Sequence, residues 1–348
     1  MKRALITGVN GQDGSYLAEF LLSKNYEVFG MHRRSSVDSN LERIEHLNGS
    51  INLVCADMLD FCSLERIIQE VNPDEIYNLA AQSQVRHSFD QPHLTFEVNY
   101  FGVERLLGIV GEQAKKPKFY QASTSEMFGD AIKTPQDEKT NFNPVSPYGK
   151  SKLKAHESVV RAREDGLFAC SGILFNHESP RRGIEFVTRK ITDGICRIKL
   201  EIPQRITGKR YLEIGNLNAK RDWGFAGDYV EAMWMMLQQN DPEDYVVSSG
   251  KSHSVKEFVE AAATAAGVDV HWEGNGANEV GYDNKNNPIV KINPAFFRPS
   301  EIDFLEGDSS KARKIFGWKP KTDFNQLVSM MVAADYDRFK GKFIPSNN

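Results

Sequence analysis

Short apolar runs alternate with longer amphipathic stretches through the first half of the chain. The runs at 4–7, 27–31, 51–56, 75–81, 118–123 and 169–175 are rich in β-branched or aromatic residues, and most end in Gly, Asp, Ser or Asn. Each reads as a buried strand. Between them, helical periodicity occupies the stretches near 14–24, 61–71, 92–114 and 147–164. Strand–helix alternation of this kind predicts an α/β fold, a doubly wound parallel sheet covered on both faces. Ligands of such sheets bind beyond the carboxyl ends of the strands.

The rhythm breaks after about Asn176. Prolines, glycines and basic residues become frequent and the strands become shorter. This half reads as a smaller C-terminal substrate-binding lobe. The expected organisation is a nucleotide-binding domain at 1–175, a lobe at 176–335 with some segments returning to the sheet, and a tail at 336–348. The Gly- and Asn-rich stretch 273–293 predicts a mobile loop.

Composition narrows the function without naming it. A chain of 348 residues is long enough for two lobes sharing a site. The net charge of −4 and the lack of a long basic block give no sign of a nucleic-acid partner. Cys55, Cys62, Cys170 and Cys196 form no CxxC pair and no Cys/His cluster at zinc spacing. No metal site and a reduced, cytoplasmic protein are therefore expected. The apolar run before Gly8 is too short for a signal peptide, and no run is long enough to span a bilayer.

The first strand runs into Gly8-Val9-Asn10-Gly11-Gln12-Asp13-Gly14, followed by a helix. Glycines permit a tight turn and let backbone approach a pyrophosphate, while the helix N-terminus supplies N–H groups and a positive dipole end. Placed between first strand and first helix, the triplet marks a Rossmann-type dinucleotide site; a turn without ligand is the alternative. The second strand ends in His32-Arg33-Arg34-Ser35-Ser36, where an NAD site usually carries an acidic residue. Guanidinium forks suit a 2′-phosphate, which points to NADP; a solvated basic loop is the competing reading. Asp57, after the third strand, is placed either to meet the adenine or as a plain turn residue.

Tyr148 and Lys152 lie four residues apart, on one face of a helix. A tyrosine of ordinary pKa, about 10, is a poor base; bringing it to about 7 needs roughly 4 kcal/mol, much of which a nearby ammonium can supply. Tyr336 and Lys340 share the spacing but lie far from the cofactor half and read as structural. The first pair stands out by context: Ser146-Pro147 opens its helix, and Ser123-Thr124-Ser125-Glu126 ends a strand before it. A small hydroxyl there can meet both tyrosine and substrate.

Glycine triplet, strand-end Ser/Thr and Tyr-x-x-x-Lys, in that order, resemble the extended short-chain dehydrogenases/reductases. Longer blocks are more specific. Gly-Gln-Asp-Gly-Ser-Tyr-Leu at 11–17, Tyr-Asn-Leu-Ala-Ala-Gln-Ser at 77–83 and the blocks at 119–129, 175–183, 221–224 and 297–301 resemble the GDP-mannose 4,6-dehydratase family, to about residue 335. The resemblance implies an NADP-dependent lyase that removes water from GDP-mannose or a close GDP-sugar. It implies catalytic roles for Thr124, Glu126 and Tyr148, with Lys152 assisting. It implies NADP contacts from the loop residues Gly8, Asn10, Gly11, Gln12, Asp13 and Gly14, and from Arg33, Asp57, Met58, Leu79, Ala80, Ala81, Gln82, Ser83, Tyr100, Lys152, His177 and Arg182. Ser83, Asn176, Lys190, Arg221, Arg298 and Glu301 are implied near the GDP-sugar. A homo-oligomer, dimer or tetramer, is also implied, with the loop 33–40 reaching a neighbouring subunit's cofactor.

Glu126 carries the distinction between reactions, because an epimerase or dehydrogenase on this fold needs tyrosine and lysine but no carboxylate there. The alternatives are a GDP-manno-heptose dehydratase, a GDP-sugar epimerase or reductase, and an NADP-binding regulatory protein. Two departures bear on the sugar. The stretch 199–211 is longer than the family's usual connection, and Val145 stands where the family commonly has arginine.

Overall fold

The first strand, β1 (Arg3–Thr7), has its last four residues, Ala4 to Thr7, fully enclosed, as a central strand covered on both faces requires. It pairs in parallel with β2 (Glu27–His32) on one side and β4 (Glu75–Asn78) on the other. Beyond β2 lies β3 (Asn52–Cys55), an edge strand with Leu53 and Cys55 exposed. Beyond β4 lie β5 (Lys118–Thr124), β6 (Ala169–Leu174) and the short strand Tyr245–Val247. The result is a seven-stranded, all-parallel Rossmann-type sheet with β1 and β4 at its centre.

This computed structural model describes residues 1–35, 38–131, 133–297, 302 and 304–343. The chain forms two units. Unit one comprises Met1–His177, Ala226–Gly250 and Glu306–Lys321; unit two comprises Glu178–Phe225, Lys251–Leu305 and Thr322–Asn348. The break expected at 175 thus falls at 177, and two later segments belong to the first unit, one of them supplying the strand Tyr245–Val247.

Alternate strand residues feed two cores, as the two-residue period dictates. Leu5, Met31, Ile76, Phe119 and Ala169 pack with α2 (Phe61–Val71), α5 (Gly102–Glu112) and α6 (Pro147–Glu164) on one face. Ala4, Ile6, Tyr77, Tyr120 and Cys170 pack with α1 (Gln12–Ser23) and the helix Ala226–Leu237 on the other. The helix expected near 92–114 runs without interruption from 92 to 112, with a change of winding inside it. After α3 (Val85–Asp90) come α4 (Pro92–Phe96), a π-helical turn at Glu97–Phe101, and α5. π-Turns of this kind gather at functional sites, and this one holds Asn99 and Tyr100.

Two expectations are corrected in unit two. The stretch 273–293 contains the antiparallel strands Val280–Tyr282 and Pro288–Ile292 rather than a mobile loop. Its Asn and Asp residues build the turn between them: Asp283 accepts from the backbone N–H groups of Lys285 and Asn287, both at 2.8 Å, and Asn286 takes a positive φ of 56°. The expected tail from 336 begins inside the helix Phe324–Phe343. That helix is tied into its unit by Asp335, which is buried and accepts from Arg189, Arg338 and Thr192. The second Tyr-x-x-x-Lys pair lies on this helix, with Lys340 Nζ 4.8 Å from the Tyr336 ring centre. No helix among the described residues is long and apolar enough to cross a membrane.

Candidate active site at the carboxyl ends of the strands

Backbone packs against backbone at the end of β1. Gly8 has φ of +69°, and a Cβ there would lie 3.0 Å from Ala80 N and Cα. A Cβ on Gly14 would lie 2.4 Å from Gly8 O. Gly11 is the N-cap of α1 and brings no side chain to cap it. A bare helix start lined by glycines is a cradle that fits a dinucleotide pyrophosphate. The helix begins earlier than its periodicity suggests, so Gln12, Asp13 and Gly14 form its first turn, and Asn10 precedes it.

Of the other cofactor candidates, Ala80 and His177 touch this loop. Register Thr7↔Met31 places Arg33 and Arg34 just beyond it, both exposed. After β3, Asp57 accepts from Leu59 N at 3.0 Å, and Met58 is buried. The strand expected at 75–81 stops at Asn78, because Thr7 Oγ1 accepts from both Leu79 N and Ala80 N at 3.0 Å and draws the chain out of the ladder. Ala81 follows half-buried, then Gln82, whose backbone is held by Asn99 at 2.8 and 3.0 Å, and Ser83, which is exposed. Tyr100 sits half-buried in the π-turn beside Phe101. His177 turns Nδ1 to Phe175 O at 2.7 Å and Nε2 to Asp13 at 2.8 Å, and stacks on Tyr229. Asn176, beside it in the chain, is half-buried.

The four expected catalytic residues lie at the end of β5 and on the first turns of α6, which packs against it. Thr124 caps a single 3₁₀ turn, Ser125–Met127, its Oγ1 accepting from Glu126 N at 3.3 Å. Opposite, Ser146 caps α6 by accepting from Gly149 N at 3.0 Å, with Pro147 as first helical residue. A Cβ on Gly149 would lie 2.7 Å from Glu126 O. Its absence lets the first turn of α6, which carries Tyr148, lie against the Glu126 backbone. Thr124, Glu126, Tyr148 and Lys152 are all at most 9% exposed.

Lys152 Nζ donates to Ala122 O at 2.9 Å. Burial pushes its ammonium down from 10.5 to about 8. The cost of enclosing the charge is fully present below about 8 and lifts as pH rises towards 10.5, because the unfolded chain then holds a proton that the folded one has released. Lys152→Met is therefore expected to raise the melting temperature near neutral pH. A net gain of about 2 kcal/mol, after loss of one hydrogen bond, corresponds to a few degrees. Thermal unfolding of both proteins across pH checks this; an equal or lower melting temperature for Lys152→Met near neutrality would refute it.

Sequence reasoning missed the polar chain behind the site. Thr7 Oγ1 donates to Asn78 Oδ1, Asn78 Nδ2 to Gln121 Oε1, and Gln121 Nε2 to Ala122 O, the carbonyl that also receives Lys152. Asn99 Nδ2 also reaches Ser151 Oγ at 3.2 Å, tying the π-turn to α6. Polar residues inside apolar strands were the available signal, since buried polar groups need partners.

In unit two, Arg182 pairs with buried Glu178 at 3.0 Å and lies over the Phe186 ring at 3.7 Å. Lys190 lies over Phe296, and burial lowers its pKa. It lines a pocket with Asp193, Leu212 and the 204–207 part of the long connection noted at 199–211. Arg221 is buried and donates to Lys220 O. Arg298 and Glu301 lie outside the described residues, as do two residues of the loop 33–40. Among the described residues, no group of three His, Cys, Asp or Glu side chains could hold a metal.

The sequence profile of the family described as GDP-mannose 4,6 dehydratase matches residues 5–331. A GDP-mannose 4,6 dehydratase of Drosophila melanogaster is 51% identical over 97% of this chain and 86% of its own length. The corresponding Homo sapiens protein is 50% identical over 96% of this chain and 91% of its own length. Among solved structures, the Thermus thermophilus UDP-glucose 4-epimerase in complex with NAD superposes with a TM-score of 0.78 at 25% identity, covering 96% of this chain and 98% of that one.

Proposed function

This chain belongs to the GDP-mannose 4,6-dehydratase family, and we propose from that premise how its residues divide the work and which nicotinamide cofactor they use. It is a sugar-nucleotide 4,6-dehydratase, a hydro-lyase converting GDP-mannose to GDP-4-keto-6-deoxymannose. The observation that supports the division of roles is the burial of both Glu126 and Tyr148, with the Glu126 backbone lying against the first turn of α6 that carries Tyr148.

The C5 hydrogen of a hexose is not acidic until C4 becomes a ketone. The nicotinamide cofactor, when bound, supplies the hydride acceptor at C4 and the donor at C6. Tyr148 takes the C4 hydroxyl proton, and Lys152 favours its phenolate. Thr124 orients that hydroxyl. Glu126 then removes the C5 proton and, once protonated, helps the C6 hydroxyl leave as water. Enclosure of the cluster keeps bulk water from competing. Incubation with GDP-mannose and mass spectrometry of the product tests the reading. Loss of one water without net cofactor consumption supports it, and an epimer or a net oxidation product sinks it.

The cofactor we propose is NADP, held by the glycine loop, Arg33, the 57–58 and 79–83 segments, Tyr100, Lys152, His177 and Arg182. Arg33 and Arg34 support the choice, since charge-assisted contacts contribute about 1.5–3 kcal/mol each. Alanine at both should weaken NADP far more than NAD in titration; equal losses would refute it. Ser83, Asn176, Lys190, Arg221, Arg298 and Glu301 are proposed for the GDP-sugar. The free thiols of Cys55 and Cys62, exposed, favour a cytoplasmic setting. A homotetramer is proposed from the resemblance, and exposed Leu94 and Phe101 beside the π-turn suit an intersubunit face.

A further inference from the structure

A second chain of polar side chains leads away from the catalytic cluster within unit one, and the roles assigned above do not use it. Ser123, the neighbour of Thr124, is 3% exposed, and its Oγ lies 3.1 Å from His156 Nδ1. His156 is 6% exposed, and its Nε2 lies 3.7 Å from Asp244 Oδ2. Asp244 accepts both guanidinium NH groups of Arg163, at 3.0 and 2.6 Å, and Ser171 N at 2.8 Å. Phe142 stands edge-on to the imidazole at 5.4 Å.

Ser, His and Asp in a row suggest a nucleophile, but the geometry does not support one. The His–Asp separation exceeds hydrogen-bond length. Arg163 already balances the Asp244 charge, and Ser123 is enclosed. The arrangement instead fixes position. Tyr148, Lys152 and His156 are spaced by four along α6 and share one face. Lys152 reaches Ala122 O and His156 reaches Ser123 Oγ, so two successive turns of the helix are tethered to two successive residues of β5. Tyr148 lies on the first turn of this same helix face, and Thr124 directly follows Ser123 on β5.

We infer that His156 is a positioning residue for the dehydratase reaction, holding Ser123 so that Thr124 and Tyr148 keep their mutual placement. The inference rests on the dehydratase reading of that site. The inference requires the tautomer with its proton on Nε2, the nitrogen on the Asp244 side, so that Nδ1 accepts the Ser123 O–H. Burial lowers the His156 pKa, with Arg163 acting the same way and Asp244 and Glu157 against it. The ring is therefore neutral near neutral pH, as an acceptor at Nδ1 must be.

The test compares His156→Phe, which keeps an aromatic ring beside Phe142, with Ser123→Ala, His156→Asn and the double variant Ser123→Ala/His156→Phe. A misplacement of about 1 Å can cost about 10²-fold, so His156→Phe and Ser123→Ala should each lower kcat on GDP-mannose about 10-fold or more with KM changed less than about twofold. Single-turnover formation of bound reduced cofactor should slow equally. His156→Asn can place its amide oxygen near the Nδ1 position and should regain most of the rate. The double variant should be no slower than His156→Phe alone. Wild-type kcat in His156→Phe, or losses that multiply in the double variant, would overturn the inference. Nitrogen NMR of the His156 ring reads the tether without substrate: a neutral ring with an unprotonated Nδ1, its signal moved by Ser123→Ala, is expected, and a protonated ring near neutral pH overturns it. If the wild-type protein left GDP-mannose intact, the dehydratase reading would fail while the ring signal still decided the tether.

Discussion

Glu126→Gln is expected to leave the enzyme holding reduced cofactor and releasing almost no dehydrated sugar. The amide keeps the size of the carboxylate, and the contact of the Glu126 backbone carbonyl with Gly149, where a Cβ would lie at 2.7 Å, is untouched. It cannot accept the C5 proton. Oxidation at C4 draws on Tyr148, Lys152 and Thr124 and survives, whereas elimination loses its base and then its acid. Such groups contribute about 10²–10⁴-fold each, so product release should fall by at least the lower figure. Absorbance of the bound nicotinamide and mass spectrometry of the sugar read the two halves separately. Near-normal dehydration by Glu126→Gln would remove the carboxylate from the mechanism. In deuterated solvent, the wild-type product should carry deuterium at C5, because that proton exchanges through Glu126, and none delivered with the hydride at C6.

Tyr148→Phe should stop the reaction one step earlier. The ring still fills the first turn of α6, whose start is fixed by the Ser146 cap and by the bond from Tyr148 N to Ser88 Oγ at 3.2 Å. Folding should therefore be little changed. The phenolic oxygen is gone, so nothing takes the C4 hydroxyl proton. Turnover should fall about 10²–10⁴-fold, with almost no reduced cofactor formed in a single turnover. The contrast with Glu126→Gln is the useful measurement: both variants lose product, but one accumulates reduced nicotinamide. Accumulation in Tyr148→Phe would show that another group serves as the first base.

Local pattern and tertiary placement contributed differently to this reading. The central strands could be read from their short continuous apolar runs, because a strand covered on both faces buries side chains on both sides, and Ala4, Leu5 and Ile6 of β1 are all enclosed. The glycine loop was legible for a related reason. Gly8 at φ of +69° and Gly14, where a Cβ would meet Gly8 O, occupy positions that other residues enter only with strain. Asn- and Gly-rich sequence was misread at 273–293, since the same residues that loosen a loop also form a tight hairpin turn. Only the register Val280↔Lys291 distinguishes the two. The π-turn inside the 92–112 helix was likewise invisible, since the partners of its Asn99, Gln82 and Ser151, are distant in sequence.

What the sequence determined by itself is therefore the set of elements, the parallel sheet and the cradle for a dinucleotide, and it also supplied the four residues proposed as catalytic. These depend on residue type and short spacing, which local sterics and burial translate directly into structure. Tertiary structure alone decided which later segments return to the first unit, 226–250 and 306–321, that Lys152 is enclosed enough to titrate near 8, and that Ser123, His156 and Asp244 form one line. Each of these is a matter of long-range proximity. Enclosure and partnership are set by residues dozens to hundreds of positions away, and no short spacing encodes them.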